Sequence, residues 1–211
     1  MKRLILIASI MMLPVMAFAQ PKAGTLSIKP KVGLNIAYFG ESQATLTSPI
    51  SNISTPPRLG LAAGLEFEYQ VKERVGLTVG AIYSQQGERA EANDTWSSSV
   101  SMTAKTDYIN FPVLVNMYLK KGFALRVGVQ PGVNVKAGYT IDNYNSSSGK
   151  LSDLGLNIKK FDLSIPLGLS YEYECFVIDA RYILGVVNIV DSSEKTWTRG
   201  VQITVGLKFN L

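Results

Sequence analysis

The 211-residue sequence contains no histidine and a single cysteine, Cys175. Without histidine it lacks the commonest acid–base group and the commonest zinc ligand. A Ser-His-Asp arrangement is excluded, which leaves Ser-Lys as the remaining serine chemistry. One cysteine rules out a disulfide within the chain. A metal site would need carboxylates or carbonyls alone, and no Asp/Glu loop has calcium spacing. No Gly-rich phosphate loop precedes a helix. Long blocks of one charge are also missing: 21 Lys and Arg are interspersed with 16 Asp and Glu, unlike the clustered basic footprint of a nucleic-acid binder. These absences predict no enzyme activity, no cofactor, no metal and no nucleic-acid partner.

After the first residues there is no apolar run of the ~20 residues that a spanning helix needs. The beginning, MKRLILIASIMMLPVMAFAQ, has Lys2 and Arg3, an apolar run from Leu4 to Met16, and the small-x-small pattern Ala17-Phe18-Ala19. That is the pattern of a secretory signal peptide cut after Ala19. The expected organisation is a leader over 1–19 and one domain over 20–211. Gln20 offers no thiol for a lipid anchor.

What the rest does have is alternation. Apolar residues recur at every second position, the strand signature, in eight segments: Thr25 to Phe39, Arg58 to Gln70, Val75 to Gly87, Thr106 to Lys120, Phe123 to Lys136, Phe161 to Tyr173, Cys175 to Val187 and Gly200 to Leu211. Connections after the odd segments are long and polar, while those after the even ones are tight turns. An even strand number with this asymmetry predicts an eight-stranded antiparallel up-and-down transmembrane β-barrel, with four long outside loops and three short periplasmic turns.

Alternation does not say which face points inward. A soluble lipocalin-like barrel would bury the apolar face, whereas a membrane barrel shows it to lipid. Two patterns favour lipid. Gly60, Gly64, Gly76, Gly80, Gly128 and Gly132 share the polar face, which suits a crowded lumen. Phe67, Tyr69, Phe123, Tyr171, Tyr173, Phe176 and Phe209 gather on the apolar face near the turn end, as an interfacial girdle does.

The polar face carries the candidate site, a lumen charge cluster of Lys29, Lys31, Glu66, Glu68, Arg126, Asp162, Glu172, Asp179, Arg181 and Lys208, with Lys136 on the same parity. Paired carboxylates at 5 to 10 Å suit glycosidases. In an eight-stranded barrel, however, side chains fill the interior, and buried charges must be paired. The expected role is a salt-bridged plug. Trp96 and Trp197 fall in long loops, as rim anchors at the lipid headgroups or as contacts for a ligand or partner. Pro112 and Pro166 lie inside strands and predict bulges.

The stretches IKPKVGLNIAYF, AIYSQQG and DYINFPVLVNMYLKKGFALRVGVQPG, with the closing strand, resemble the PorT-like outer-membrane β-barrel family. The resemblance implies a barrel in the outer membrane of a bacterial envelope. One founding member is linked to protease secretion, and many members have no assigned role. TVGLKFNL similarly looks like the terminal signal read by the barrel-insertion machinery, with Thr204, Gly206, Phe209 and Leu211 in its key places. The expected function is an outer-membrane protein with a structural or surface-interaction role. Its expected partners are outer-membrane lipid and the insertion machinery. The alternatives are a subunit of a secretion or envelope-assembly complex and, further off, a lipid-modifying enzyme or a soluble ligand-binding barrel.

Overall fold

The computed structural model describes residues 22–41, 53–54, 58–92, 100–120, 122–142, 147–154, 159–188 and 196–211. The leader assignment over 1–19 and Trp96 lie outside these residues. In chain order the strands are β1 (Leu26–Glu41), β2 (Ile53–Ser54), β3 (Arg58–Lys72), β4 (Val75–Ala92), β5 (Val100–Asn110), β6 (Val113–Lys120), β7 (Phe123–Asp142), β8 (Ser147–Lys150), β9 (Phe161–Tyr173), β10 (Phe176–Gly185), β11 (Thr196–Leu207) and β12 (Phe209–Asn210), with a 3-10 turn over Leu151–Leu154. Successive walls pair antiparallel. β5 and β6 form one wall, β11 and β12 another, and β1 pairs with β11 and β12 to close an eight-stranded barrel.

The tight turns are at Glu73–Arg74, between β6 and β7, and at Glu174–Cys175. Two of them use left-handed backbone, at Gly122 (φ 76°) and Glu174 (φ 54°). Glycine takes that conformation freely, whereas Glu174 carries a Cβ into it.

The barrel is inside out relative to a soluble protein. Leu34, Leu61, Leu65, Val79, Val115, Val129, Leu167, Ile178, Ile203 and Val205 point outward and are exposed, while Lys29, Lys31, Glu66, Glu68, Arg126, Asp179 and Arg181 are buried. A continuous outward apolar surface on a closed barrel matches a lipid solvent, because antiparallel pairing runs round the whole wall and leaves no open edge strand. Phe67, Tyr69, Tyr171, Phe176 and Phe209 stand exposed at the turn end, in register across neighbouring strands through Ile28↔Phe67, Ile28↔Phe209, Phe123↔Tyr171 and Phe176↔Tyr173.

The strands run further toward the loop end than hydrophobic alternation indicates. β1 reaches Glu41, β4 reaches Ala92 and β7 reaches Asp142. Backbone pairing continues through these extensions, as far as Glu41↔Thr196, Ala92↔Val100 and Asp142↔Ser101, beyond the part of the sequence with an apolar period. Trp197 is accordingly not a loop residue: it sits in β11, paired with Gly40.

The bulges expected at Pro112 and Pro166 do not form. Between Ile82↔Asn110 and Val79↔Val113 two residues intervene on each strand, so the register is kept past Pro112. Pro166 pairs with Ile183 inside an unshifted ladder. The missing N–H is absorbed by a lapse in pairing. The wall breaks between β5 and β6 at Pro112, and β7–β9 pairing skips the positions between Val127↔Leu167 and Gln130↔Ser164. The register shifts lie elsewhere: two beside the tight turns, between Gln70 and Lys72 and between Tyr118 and Lys120, and one between Asp107 and Tyr108, where Asp107 pairs with Lys136 and Tyr108 with Asn134, leaving Val135 as an extra residue. A bulge inverts side-chain parity beyond it. Lys136 is therefore exposed on the outer face and is not a lumen residue.

Candidate functional site

Each strand contributes its polar face to the barrel axis, and the paired register stacks these side chains into layers. The central layer has three cations, Lys31 (β1), Arg126 (β7) and Arg181 (β10), around two carboxylates, Glu66 (β3) and Asp179 (β10). Glu66 is ion-paired with all three cations, at 2.7 Å from Lys31 Nζ, 2.8 Å from Arg126 Nη2 and 2.7 Å from Arg181 Nη2, and accepts hydrogen bonds from the two arginines. Asp179 is bound by Arg126, by Arg181 Nε at 2.7 Å and by Lys31 at 3.4 Å.

The second layer lies toward the turn end and is electrically balanced. Lys29 and Lys208 face Glu68 and Glu172, with Lys29–Glu68 at 2.8 Å and Lys208–Glu172 at 2.7 Å, and Lys29 also bonded to Glu172. The Tyr118 hydroxyl lies between the two carboxylates, bonded to Glu68 and 3.0 Å from Glu172, while Asn116 and Thr78 donate to Glu68. Arg126 Nε donates to Asn116 Oδ1 at 2.9 Å and ties the layers together.

Glycines make room for these long side chains. Arg126 and Arg181 both pair with Gly168, from its two sides. A Cβ at Gly168 would lie 2.7 Å from the Arg181 Cβ, and one at Gly80 would lie 2.8 Å from the Glu66 Cγ. The small residues on the polar face are thus the floor on which the charges lie.

Nine of the ten lumen residues expected from the sequence come together in these two layers; Asp162 does not. It is buried and faces the axis, yet its Oδ1 has no hydrogen-bond partner among the described residues. The register explains the separation. Asp162 pairs with Gly132 and Gly168 with Arg126, so the carboxylate sits six residues along the ladder, about 20 Å from that layer. Its level of the lumen is neutral and polar: Gly132, its partner, pairs with Asn110 and lies against the Tyr108 ring.

Tyr118, Asn116 and Thr78 escape a sequence reading that marks the lumen by its charged residues alone. Asn116 and Tyr118 share the inward parity of Leu114 on β6, where Val113, Val115 and Met117 face out, and Thr78 lies on the inward parity of β4 between Gly76 and Gly80.

Of the terminal positions, Thr204 is buried, and Phe209 and Leu211 are exposed. Gly206 pairs with Lys31. An outer groove of about 370 Å³, lined by Pro30, Val32, Phe176, Val205 and Leu207, opens on the apolar surface where β11 gives way to β12. Among the described residues, no three His, Cys, Asp or Glu side chains form a metal-binding group. The lumen geometry supplies mutual neutralisation and rigidity. No carboxylate in the two layers is free to act as an acid or base without breaking an ion pair.

Solved structures share this architecture. The Yersinia pestis attachment invasion locus protein Ail, crystallised with the heparin analogue sucrose octasulfate, is 15% identical with a TM-score of 0.50, over 89% of this chain and 99% of that one. Neisserial surface protein A is 12% identical (TM-score 0.41), over 87% and 97%. OprG of Pseudomonas aeruginosa is 12% identical (TM-score 0.40), over 92% and 99%. At these identities the likeness is one of fold. No curated protein matches in sequence. The family model described as "Outer membrane protein beta-barrel domain" matches residues 18–191, and with the apolar exterior and charged interior in place, the chain belongs to that outer-membrane β-barrel family.

Proposed function

We propose that this outer-membrane barrel is a closed, non-enzymatic element of the PorT-like kind, with the loop end facing outside the cell and serving surface interaction or envelope structure. The observation that supports this reading is the pair of interlocked charge layers across the lumen. A solute path would have to break several buried ion pairs at once, and eight strands leave an interior that side chains fill. Reconstituted in planar bilayers, the protein is expected to show no large steady conductance. Stable, porin-sized channels would overturn the closed-lumen reading.

Orientation is tested with two cysteines on one chain. Ser147, at the loop end in β8, is exposed, and so is the native Cys175 in a turn at the other end. In intact cells, a bulky membrane-impermeant thiol reagent is expected to label Ser147→Cys while sparing Cys175, and to label both after the cells are opened. Labelling of Cys175 alone in intact cells would invert the barrel.

A further inference from the structure

The bulge at Val135 has placed lysines where the apolar belt ends. Beyond it, Gly138 pairs with Lys105 of β5 on one side and with Lys150 of β8 on the other. Directly paired residues share a face, and so do residues two apart on one strand. Lys105, Lys136 and Lys150 therefore surround Gly138 on the outer surface: one to each side, and one below it toward the membrane. Lys136 and Lys150 are exposed and Lys105 is half-buried. Gly138 has no side chain to fill the space between them, and a Cβ there would meet only the Gly149 carbonyl, at 3.2 Å.

The surroundings reinforce the positive charge. Lys159 and Lys160 are exposed at the start of β9, and the Lys160 carbonyl accepts from Asn134 N–H on β7 at 2.7 Å. Of the nearby acids, Asp107 lies directly opposite Lys136 and accepts from Tyr83 at 2.9 Å, and Asp153 accepts from the Lys150 amide at 3.1 Å; against these two carboxylates the five lysines Lys105, Lys136, Lys150, Lys159 and Lys160 leave the patch positive. Immediately below the lysines the same walls are apolar and exposed, through Ile109, Phe111, Val133, Val135, Phe161 and Ile165.

We propose that Lys105, Lys136 and Lys150 form a cradle over Gly138 for a phosphate of an anionic glycolipid in the outer leaflet, whose acyl chains lie along the apolar stripe beneath. This rests on the loop end facing outward. A glycine floor ringed by ammonium groups suits an anion, and its continuity with a lipid-facing stripe selects a lipid over a free ion. Long lysine stems let the charges reach headgroup height while their methylenes stay on the apolar surface.

The test is native mass spectrometry of the detergent-purified barrel with diphosphorylated lipid A and with its fully dephosphorylated form. The wild type is expected to retain the phosphorylated lipid preferentially. The triple variant Lys105→Gln, Lys136→Gln, Lys150→Gln is expected to lose about a hundredfold in affinity, and Gly138→Glu is expected to lose it as well. Variants Lys72→Gln and Lys120→Gln, at the opposite rim, should bind as the wild type does, and excess inorganic phosphate should not displace the lipid. Each variant is first checked for its folded gel mobility. Equal retention of both lipids, an unchanged triple variant, equal loss in the turn-rim controls, or displacement by inorganic phosphate would each overturn the proposal. Binding in detergent does not depend on orientation, so an inverted barrel would show in the thiol-labelling experiment alone.

Discussion

Glu66→Gln is expected to destabilise the folded barrel by about 3–5 kcal/mol, the usual cost of breaking a buried ion pair from one side. Glu66 is fully buried and is the shared ion-pair partner of Lys31, Arg126 and Arg181. In the native layer three cations face two carboxylates. The substitution leaves Asp179 as the sole carboxylate among them, while glutamine keeps the volume and removes only the charge. The excess positive charge cannot relax outward, because the surrounding wall is sheet and the next layer is already neutralised by its own pairs. The companion variant Glu66→Gln/Lys31→Met should recover more than half of the loss. It removes the cation whose contact with Asp179 is the longest, 3.4 Å, and replacing both partners of a buried pair is far less damaging than replacing one. Denaturant unfolding in detergent, followed by the heat-modifiable gel shift, measures both variants. A Glu66→Gln barrel within about 1 kcal/mol of the wild type, the range of exposed ion pairs, would mean that the layer is hydrated and that these contacts do not act as a plug.

The sequence revealed the parts of this architecture that depend on local alternation and left obscure the parts that depend on register. The last wall shows the first kind. Val201, Ile203 and Val205 face out, and Gln202 and Thr204 face in, as period two requires. The lumen charges were legible for the same reason, since a long charged residue on the inward parity of a narrow barrel has nowhere else to go. Asp162 shows the limit. Its parity was right, but parity does not give height, and only the ladder shows that it stands six residues from the Arg126–Gly168 level. Lys136 shows the other limit: one extra residue at Val135 reverses every assignment beyond it, and nothing in the composition of the stretch marks that bulge. The prolines misled in the opposite direction. A missing donor can be accommodated by an extra residue or by a gap in the ladder, and Pro112 and Pro166 take the gap.

That dependence on register makes the closing strand the most sensitive part of the chain. Deleting residues 209–211 is expected to abolish membrane assembly. Phe209→Asp should reduce it severely, and Asn210→Ser should leave it intact. The deletion removes the pairs Ile28↔Phe209 and Ser27↔Asn210 and the bond from Leu211 N–H to the Leu26 carbonyl at 2.8 Å. β1 would then have no partner on that side below Lys31, the last residue it pairs with β11. Pro30 lies in this same stretch, and Lys208, opposite Lys29, is already outside the regular ladder, so no neighbouring pairs are available to compensate. Backbone groups left open to hydrocarbon cost several kcal/mol each. Phe209→Asp keeps the backbone but exchanges an exposed aromatic of the turn-end girdle for a charge. Near the interface that charge itself costs about 0–1 kcal/mol, so a severe loss from this one change would locate the defect in recognition by the insertion machinery and not in the stability of the finished barrel. Asn210 is exposed at the rim, and its contact is a bond from Ser27 Oγ at 2.9 Å, which serine can replace by its own hydroxyl or by water. The measurement is the heat-modifiable, membrane-integrated fraction of each variant at matched expression. Refolding of purified Phe209→Asp into lipid vesicles, where no machinery is present, separates the two causes: near-normal yield there with failed assembly in cells supports the recognition role. Assembly of the truncated chain at wild-type levels would show that neither recognition nor closure depends on these residues.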